Sequence, residues 1–168
     1  KLEFVPVIVP EIVLSTKVTD EDRANGIRDE YGVLYSKDGF RLLKAPKDIE
    51  MYKIKNGVKV ICDAAFMFCH SLKELVIPSS VASIGGFTFH NCEALRELVI
   101  PSSVTSIGNW VFGNCGSLRE LVIPSSVTSI GRAAFNCCSF LQLDIKSPKF
   151  ELIDNSIIVD TLKKEVIS

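Results

Sequence analysis

A chain of 168 residues with 47% hydrophobic side chains fits one domain and can bury a sizeable core. Nineteen basic against twenty acidic side chains, a net charge of −1, provide no basic face to displace counterions from phosphates, which argues against nucleic acid as a partner. The apolar opening FVPVIVPEIVL is broken by Pro6, Pro10 and Glu11 and has no basic leader, so it reads as neither a signal peptide nor a membrane span, and no membrane insertion is expected.

That opening has the offsets of a degenerate repeat coil, with Phe4, Val7, Val9, Pro10 and Val13 matching Leu95, Leu98, Ile100, Pro101 and Val104. The charged stretch after it carries helix-start chemistry at Thr19 and Asp20, so residues 1–30 are assigned as an N-terminal segment holding such a coil plus a short helix or linker. Residues 31–53 follow as a hairpin unit: YGVLYSKDGFRLLK is strand, polar turn, strand, with Gly39 supplying the positive φ of a tight turn.

Residues 54–144 contain near-copies of one segment. LKELVIPSSVASIGGFTFHNC, LRELVIPSSVTSIGNWVFGNC and LRELVIPSSVTSIGRAAFNC begin at Leu72, Leu95 and Leu118, a period of 23 residues. A fixed period in the twenties with Leu at set offsets marks a leucine-rich-repeat solenoid, in which each repeat is one coil. IKNGVKVICDAAFMFCHSLKE, from Ile54, lacks the Pro-Ser-Ser signature but keeps the apolar columns, which makes four coils. The columns are those of Ile54, Val58, Ile61, Phe66, Leu72 and Leu75 and their equivalents, the fourth coil supplying Phe140 and Leu143 to the last two because it is one residue shorter. Within a coil, Glu97–Ile100 alternates as a strand that Pro101 ends. A second short strand is expected near Thr105 to Ile107, then a turn at Gly108 and a brief helical turn through Val111 and Phe112. The predicted class is α/β: a solenoid with a parallel in-register sheet, short helical turns and β-hairpins at the ends. Residues 145–168 form a C-terminal half-coil and hairpin, NSIIVDTLKKEVIS aligning with the first hairpin at a shift of 124 residues. The two hairpins are read either as caps on the open core or as internal hairpins of a longer array.

A coil reading LxxLxIPxSVxSIGxxxFxxC resembles the BspA-like leucine-rich repeats of surface proteins from host-associated anaerobic bacteria and some parasitic protozoa. The wording VLYSKDG and IIVDTLKKEV also resembles elements that this family places between or after its repeats. The resemblance implies a right-handed superhelix, a cell-surface or secreted setting and, for some members, adhesion to host matrix proteins. It offers no catalytic residues to carry over.

Cys69, Cys92, Cys115 and Cys137 recur in one column, with Cys62 and Cys138 outside it. In-register side chains point the same way with Cβ atoms near 4.8 Å, whereas a disulfide wants about 3.8 Å, so the column is expected to be an unbridged ladder of buried thiols. One-per-coil spacing is also unlike the paired cysteines of zinc sites. His70 and His90 fall in different columns, and no nucleophile and base set, phosphate loop or carboxylate pair stands out. No catalytic residue, cofactor or metal is therefore expected. Candidate partner-binding residues are Glu74, Val76, Glu97, Val99, Glu120 and Val122 on the strand face, and Phe87 and Trp110 where the other coils carry Ala64 and Ala133. The competing readings are a solvated face whose glutamates are offset by Lys73, Arg96 and Arg119, and aromatics packed against a neighbouring loop. The expected function is a monomeric, non-enzymatic module binding a protein or glycan partner on the host or bacterial surface; the alternative is a spacer or assembly segment without a specific ligand.

Overall fold

The structure is a computed structural model describing residues 3, 5–6, 14–153, 157–160 and 165–166. Except for residues 5–6, the degenerate coil expected at residues 4–13 lies outside those residues. The chain enters through a short helix α1 (Asp20–Asn25), started by a capping box in which Thr19 Oγ1 accepts from the Asp22 amide and the Asp22 carboxylate accepts from the Thr19 amide. Strands β1 (Ile27–Arg28), β2 (Leu34–Tyr35) and β3 (Arg41–Lys44) then form an antiparallel unit. Its second turn is closed by Gly39 at φ +76, while Asp38 accepts from Ser36 Oγ and the Phe40 amide.

Each coil that follows contributes a strand to each of two faces. β4 (Met51–Lys53), β5 (Val60–Ile61), β6 (Glu74–Val76), β7 (Ser83–Ile84), β8 (Glu97–Leu98), β9 (Ser106–Ile107), β10 (Glu120–Ile123), β11 (Ser129–Ile130) and β12 (Gln142–Ile145) follow in chain order. The odd-numbered strands continue the N-terminal unit into one seven-stranded sheet, β1-β2-β3-β5-β7-β9-β11, parallel from β3 onward. The even-numbered strands form the opposite face, β4-β6-β8 and β10-β12, also parallel and in register. The chain closes with β13 (Phe150–Ile153), β14 (Ile157–Asp160) and β15 (Glu165–Val166), an antiparallel sheet.

The third side of each coil is built from successive turns with little helix. His90 and Cys92 amides bond back to Phe87 and Phe89 carbonyls, while those of Phe87, Phe89 and Asn91 donate to Asn109, Val111 and Gly113 of the next coil at 2.8, 2.9 and 2.8 Å. The left-handed residues aim alternate amides along the solenoid axis: Phe87 and Asn91, Trp110 and Asn114, and Ala133 and Cys137 all lie between φ 52 and 59. Gly108, read from sequence as the turning residue, has a different role. A Cβ there would lie 2.4 Å from the Gly86 amide nitrogen, so the glycine permits the close approach of neighbouring coils.

The apolar columns fill the interior. Phe66, Phe89, Phe112 and Phe135 stack ring on ring with centroids 5.5 to 5.7 Å apart. One assignment is corrected: Phe140 is 67% exposed, and Leu141 takes the core place given to it. The fourth coil loses its residue after Leu141, since Gln142 pairs with Glu120 and Leu143 with Leu121. For the same reason Cys138, not Cys137, completes the thiol column. Cys92, Cys115 and Cys138 Sγ donate to the carbonyls of Phe66, Phe89 and Phe112 at 3.1, 3.1 and 2.9 Å. Cys137 is exposed, at the left-handed place of Asn91 and Asn114, and all six cysteines are free. Burial pushes the Cys62, Cys69 and Cys138 thiols up to about 11 and those of Cys92 and Cys115 up as well.

The N-terminal segment straps the outer face of the first coil. Leu14 and Val18 pack on Leu34, Leu43, Val60 and Cys62, and the Asp63 amide donates to the Thr16 carbonyl at 2.8 Å. Arg41 holds the strap from below, donating to Ser15 O and Asp22 Oδ1 at 2.9 Å each and to the Lys17 carbonyl. Inside the unit, the Tyr52 hydroxyl bonds Asp29 and meets that of Tyr35, and burial raises both phenols.

Phe112→Ala should cost about 3–5 kcal/mol in denaturant unfolding, from lost burial plus a cavity; a loss under about 1 kcal/mol would show that this column is not core. The thiols set a pH dependence. Their folded pKa values exceed the ordinary 9.0, so their contribution is whole below pH 9 and is lost as the pH rises toward about 11, where the unfolded chain has released protons that the fold retains. Denaturant midpoints should fall above pH 9, and less steeply in a Cys92→Ala, Cys115→Ala variant, which leaves the similarly shifted Tyr35 and Tyr52 in place. Equal slopes for the two proteins would rule out Cys92 and Cys115 as contributors.

Candidate functional site

Alternation along the even-numbered strands decides what their face presents. Leu75, Leu98 and Leu121 point into the core, so their neighbours point out. One outward column is Met51, Glu74, Glu97, Glu120, Gln142, and the other is Lys53, Val76, Val99, Val122, Asp144. Val76, Val99 and Val122 are 53, 79 and 48% exposed. The structure therefore brings the six strand-face candidates together as two adjacent stripes. It also lengthens both, since Met51-Tyr52-Lys53-Ile54 repeats Glu74-Leu75-Val76-Ile77 at the 23-residue period, a signal hidden by assigning 51–53 to the hairpin unit.

The basic column does not meet the glutamates as expected. Lys73 Nζ pairs with Glu50 Oε2 at 3.1 Å, and Arg119 donates to the Gly116 carbonyl and lies 5.0 Å over the ring of Phe140. Among the described residues no ion pair reaches Glu74, Glu97 or Glu120. Glu74 faces Glu97 in the ladder, and two such charges at about 5 Å repel by roughly 0.8 kcal/mol in water, which no ion pair among the described residues offsets. The strand ladder is interrupted between β8 and β10. An open groove of about 920 Å³ lies there, lined by Arg96, Glu97, Val99, Arg119, Glu120 and Val122 among others. Phe140, displaced from the core, stands beside it through Arg119.

Phe87 and Trp110 lie elsewhere, on the turn side. Their rings are parallel, 6.3 Å between centroids at an interplanar angle of 1°, and Phe87 is exposed. His90 braces both edge-on, at 5.6 and 6.0 Å. A shallow groove of about 670 Å³ runs from Thr16 and Met67 past Phe87 and Asn109 to Ser129. Among the described residues no cluster of His, Cys, Asp or Glu could hold a metal ion, and no helix is long and apolar enough to cross a membrane.

A family model described as the BspA type leucine rich repeat region matches residues 44–163 in 6 copies. No curated protein matches the chain. Among solved structures, the chain is similar to the pneumococcal vaccine antigen PcpA at 29% identity and a TM-score of 0.68, over 72% of this chain and 31% of the antigen. It is similar to a leucine rich repeat protein of T. pallidum at 26% identity and a TM-score of 0.54, over 70% of this chain and 66% of that one. A leucine rich cell surface protein from Faecalibacterium prausnitzii matches at 26% identity and a TM-score of 0.60, over 74% of this chain and 40% of that one. The chain thus spans about a third of the length of the pneumococcal antigen.

The left-handed backbone under the aromatic pair has a measurable consequence. Trp110 at φ 56 bears a cost of about 1–2 kcal/mol that glycine would not. Trp110→Gly should therefore leave stability within about 1 kcal/mol of the parent, the relief offsetting the lost half-buried ring contacts. A loss of about 3 kcal/mol or more in denaturant unfolding would make the ring a structural element and remove it from the candidates.

Proposed function

Since the chain belongs to the BspA-type leucine-rich-repeat family, we propose that it is a non-catalytic binding module of a bacterial surface protein, engaging a protein partner through its even-strand face. The observation that carries this reading is the exposed Val76, Val99 and Val122 stripe lying beside glutamates that have no ion-pair partner among the described residues. An apolar stripe flanked by unneutralised charge fits a surface that offers apolar side chains and basic groups. The stacked coils hold both stripes in place before contact, which reduces the ordering cost of association. The vaccine-antigen and cell-surface descriptions of two similar proteins support a surface setting, and the family resemblance supports host matrix as the class of target.

The test is binding of the purified chain to immobilised fibronectin and fibrinogen, beside a variant with Val76, Val99 and Val122 all changed to Lys. Saturable binding weakened at least about tenfold in the variant, a loss of about 1.4 kcal/mol, is the expected result. Equal binding by both proteins would exclude the strand face. The fluorescence of the single tryptophan separates the two surfaces: Trp110 emission should stay unchanged on binding, and a shift would move the site to the turn side.

A further inference from the structure

The turn side carries an aromatic cluster that the repeat does not require. Ala64 and Ala133 hold the place of Phe87 and Trp110 in the first and fourth coils, and all four residues share one left-handed backbone, between φ 52 and 56. The large rings are therefore an addition to the fold and not a condition of it. His90 stands edge-on to both, and the third coil makes room for it with Gly113, where a Cβ would lie 2.4 Å from His90 Nδ1 and 3.3 Å from Trp110 Cε3. This packing fixes the rings while Phe87 stays exposed. Because Ala64 is small, the space beside Phe87 toward the first coil is open, and the shallow turn-side groove passes through it between Phe87 and Met67.

The lining of that groove decides what fits it. Among the described residues Asp63 is its single charged side chain, and no Lys or Arg enters it. Its polar side chains are each held by one hydrogen bond with a second atom to spare. Asp63 Oδ1 accepts from the Gly86 amide and Asn109 Oδ1 from the Arg132 amide, both at 2.8 Å. Asp63 Oδ2, Asn109 Nδ2 and the hydroxyls of Ser106 and Ser129 have no hydrogen-bond partner among the described residues. Oriented donors and acceptors beside a fixed aromatic ring suit a ligand with an apolar ring face and a rim of hydroxyls. An anionic ligand would need bases that are missing here, and the anchor side chain of a protein would need a deeper apolar pocket. Sugar rings along an extended glycan recur at close to the coil spacing of about 4.8 Å, so successive rings meet successive coils.

We propose that this groove binds a neutral, extended oligosaccharide, one sugar ring seated against Phe87 in the space left by Ala64 and its neighbours hydrogen-bonded to Asp63, Asn109 and the two serines. The site is separate from the strand-face stripes and does not depend on what they bind.

The test titrates the 168-residue chain by calorimetry with cellohexaose and chitohexaose, whose chains are extended, and with maltohexaose, whose chain curls. At least one extended probe should bind with a Kd of about 1 mM or tighter, about tenfold or more tightly than maltohexaose, and should shift the emission of Trp110, the single tryptophan. Phe87→Ala installs the residue that the first and fourth coils already carry at this place, so the fold accepts it, and binding should weaken about tenfold or more. The variant with Val76, Val99 and Val122 changed to Lys should bind as the parent does. Failure of both extended probes to bind would overturn the proposal, as would equal binding of maltohexaose or full-strength binding by Phe87→Ala. Calorimetric binding that leaves Trp110 emission unchanged, or that the strand-face variant loses, would place the glycan elsewhere and count equally against it.

Discussion

In-register stacking is the constraint on which the rest of this molecule depends. Each coil sits on a copy of itself about 5 Å away, so almost every side chain has its own equivalent as its nearest neighbour. Residues that pack well against their own kind gain twice over. The phenylalanine spine is one such column, and the thiol column, with each sulfhydryl donating to a carbonyl of the coil beneath, is another. Where the backbones come closest, no side chain is tolerated, and a Cβ at Gly108 or Gly131 would stand 2.4 or 2.3 Å from the amide nitrogen of the adjacent coil.

The same constraint makes charge costly to repeat. A glutamate repeated at one position must face its copy, and Glu74 lies directly opposite Glu97. Lys73 and Arg119 turn to other partners, so no ion pair among the described residues removes the repulsion. The cost is small for a solvated column, well below that of a lost core residue. On the proposed reading, a basic partner would recover that repulsion on binding.

The period, the core columns and the two strands of each coil were legible in the sequence because each is a repeated burial decision. What was misplaced depended on alignment within a coil or on backbone conformation. Asn-Cys recurs in Asn91-Cys92, Asn114-Cys115 and Asn136-Cys137, and matching that dipeptide placed the missing residue too early. Matching Leu118 to Leu141 would have put Cys138 in the thiol column and Phe140 outside. The left-handed turns were hidden because Ala64, Phe87, Trp110 and Ala133 are not residues that advertise positive φ. The open ladder between β8 and β10 has no sequence signal at all, since both coils carry the same Arg-Glu-Leu-Val-Ile.

The first coil departs from the central ones where the strap crosses it. Central coils carry Ser83 and Gly85, or Ser106 and Gly108, where the first carries Val60 and Cys62. Read alone, this looks like decay of the repeat. In the structure those two residues are buried beneath Leu14 and Val18 of the strap, whose Thr16 carbonyl also takes the Asp63 amide. One coil further on, the carboxylate of Asp63 itself takes the Gly86 amide at 2.8 Å, and Asn109 Oδ1 does the same for Arg132. The Asp63, Gly86 and Arg132 amides thus each have an acceptor beneath them, that of Asp63 lying outside the coils. The strap supplies it from the N-terminal segment, and the apolar residues of the first coil exist to hold the strap.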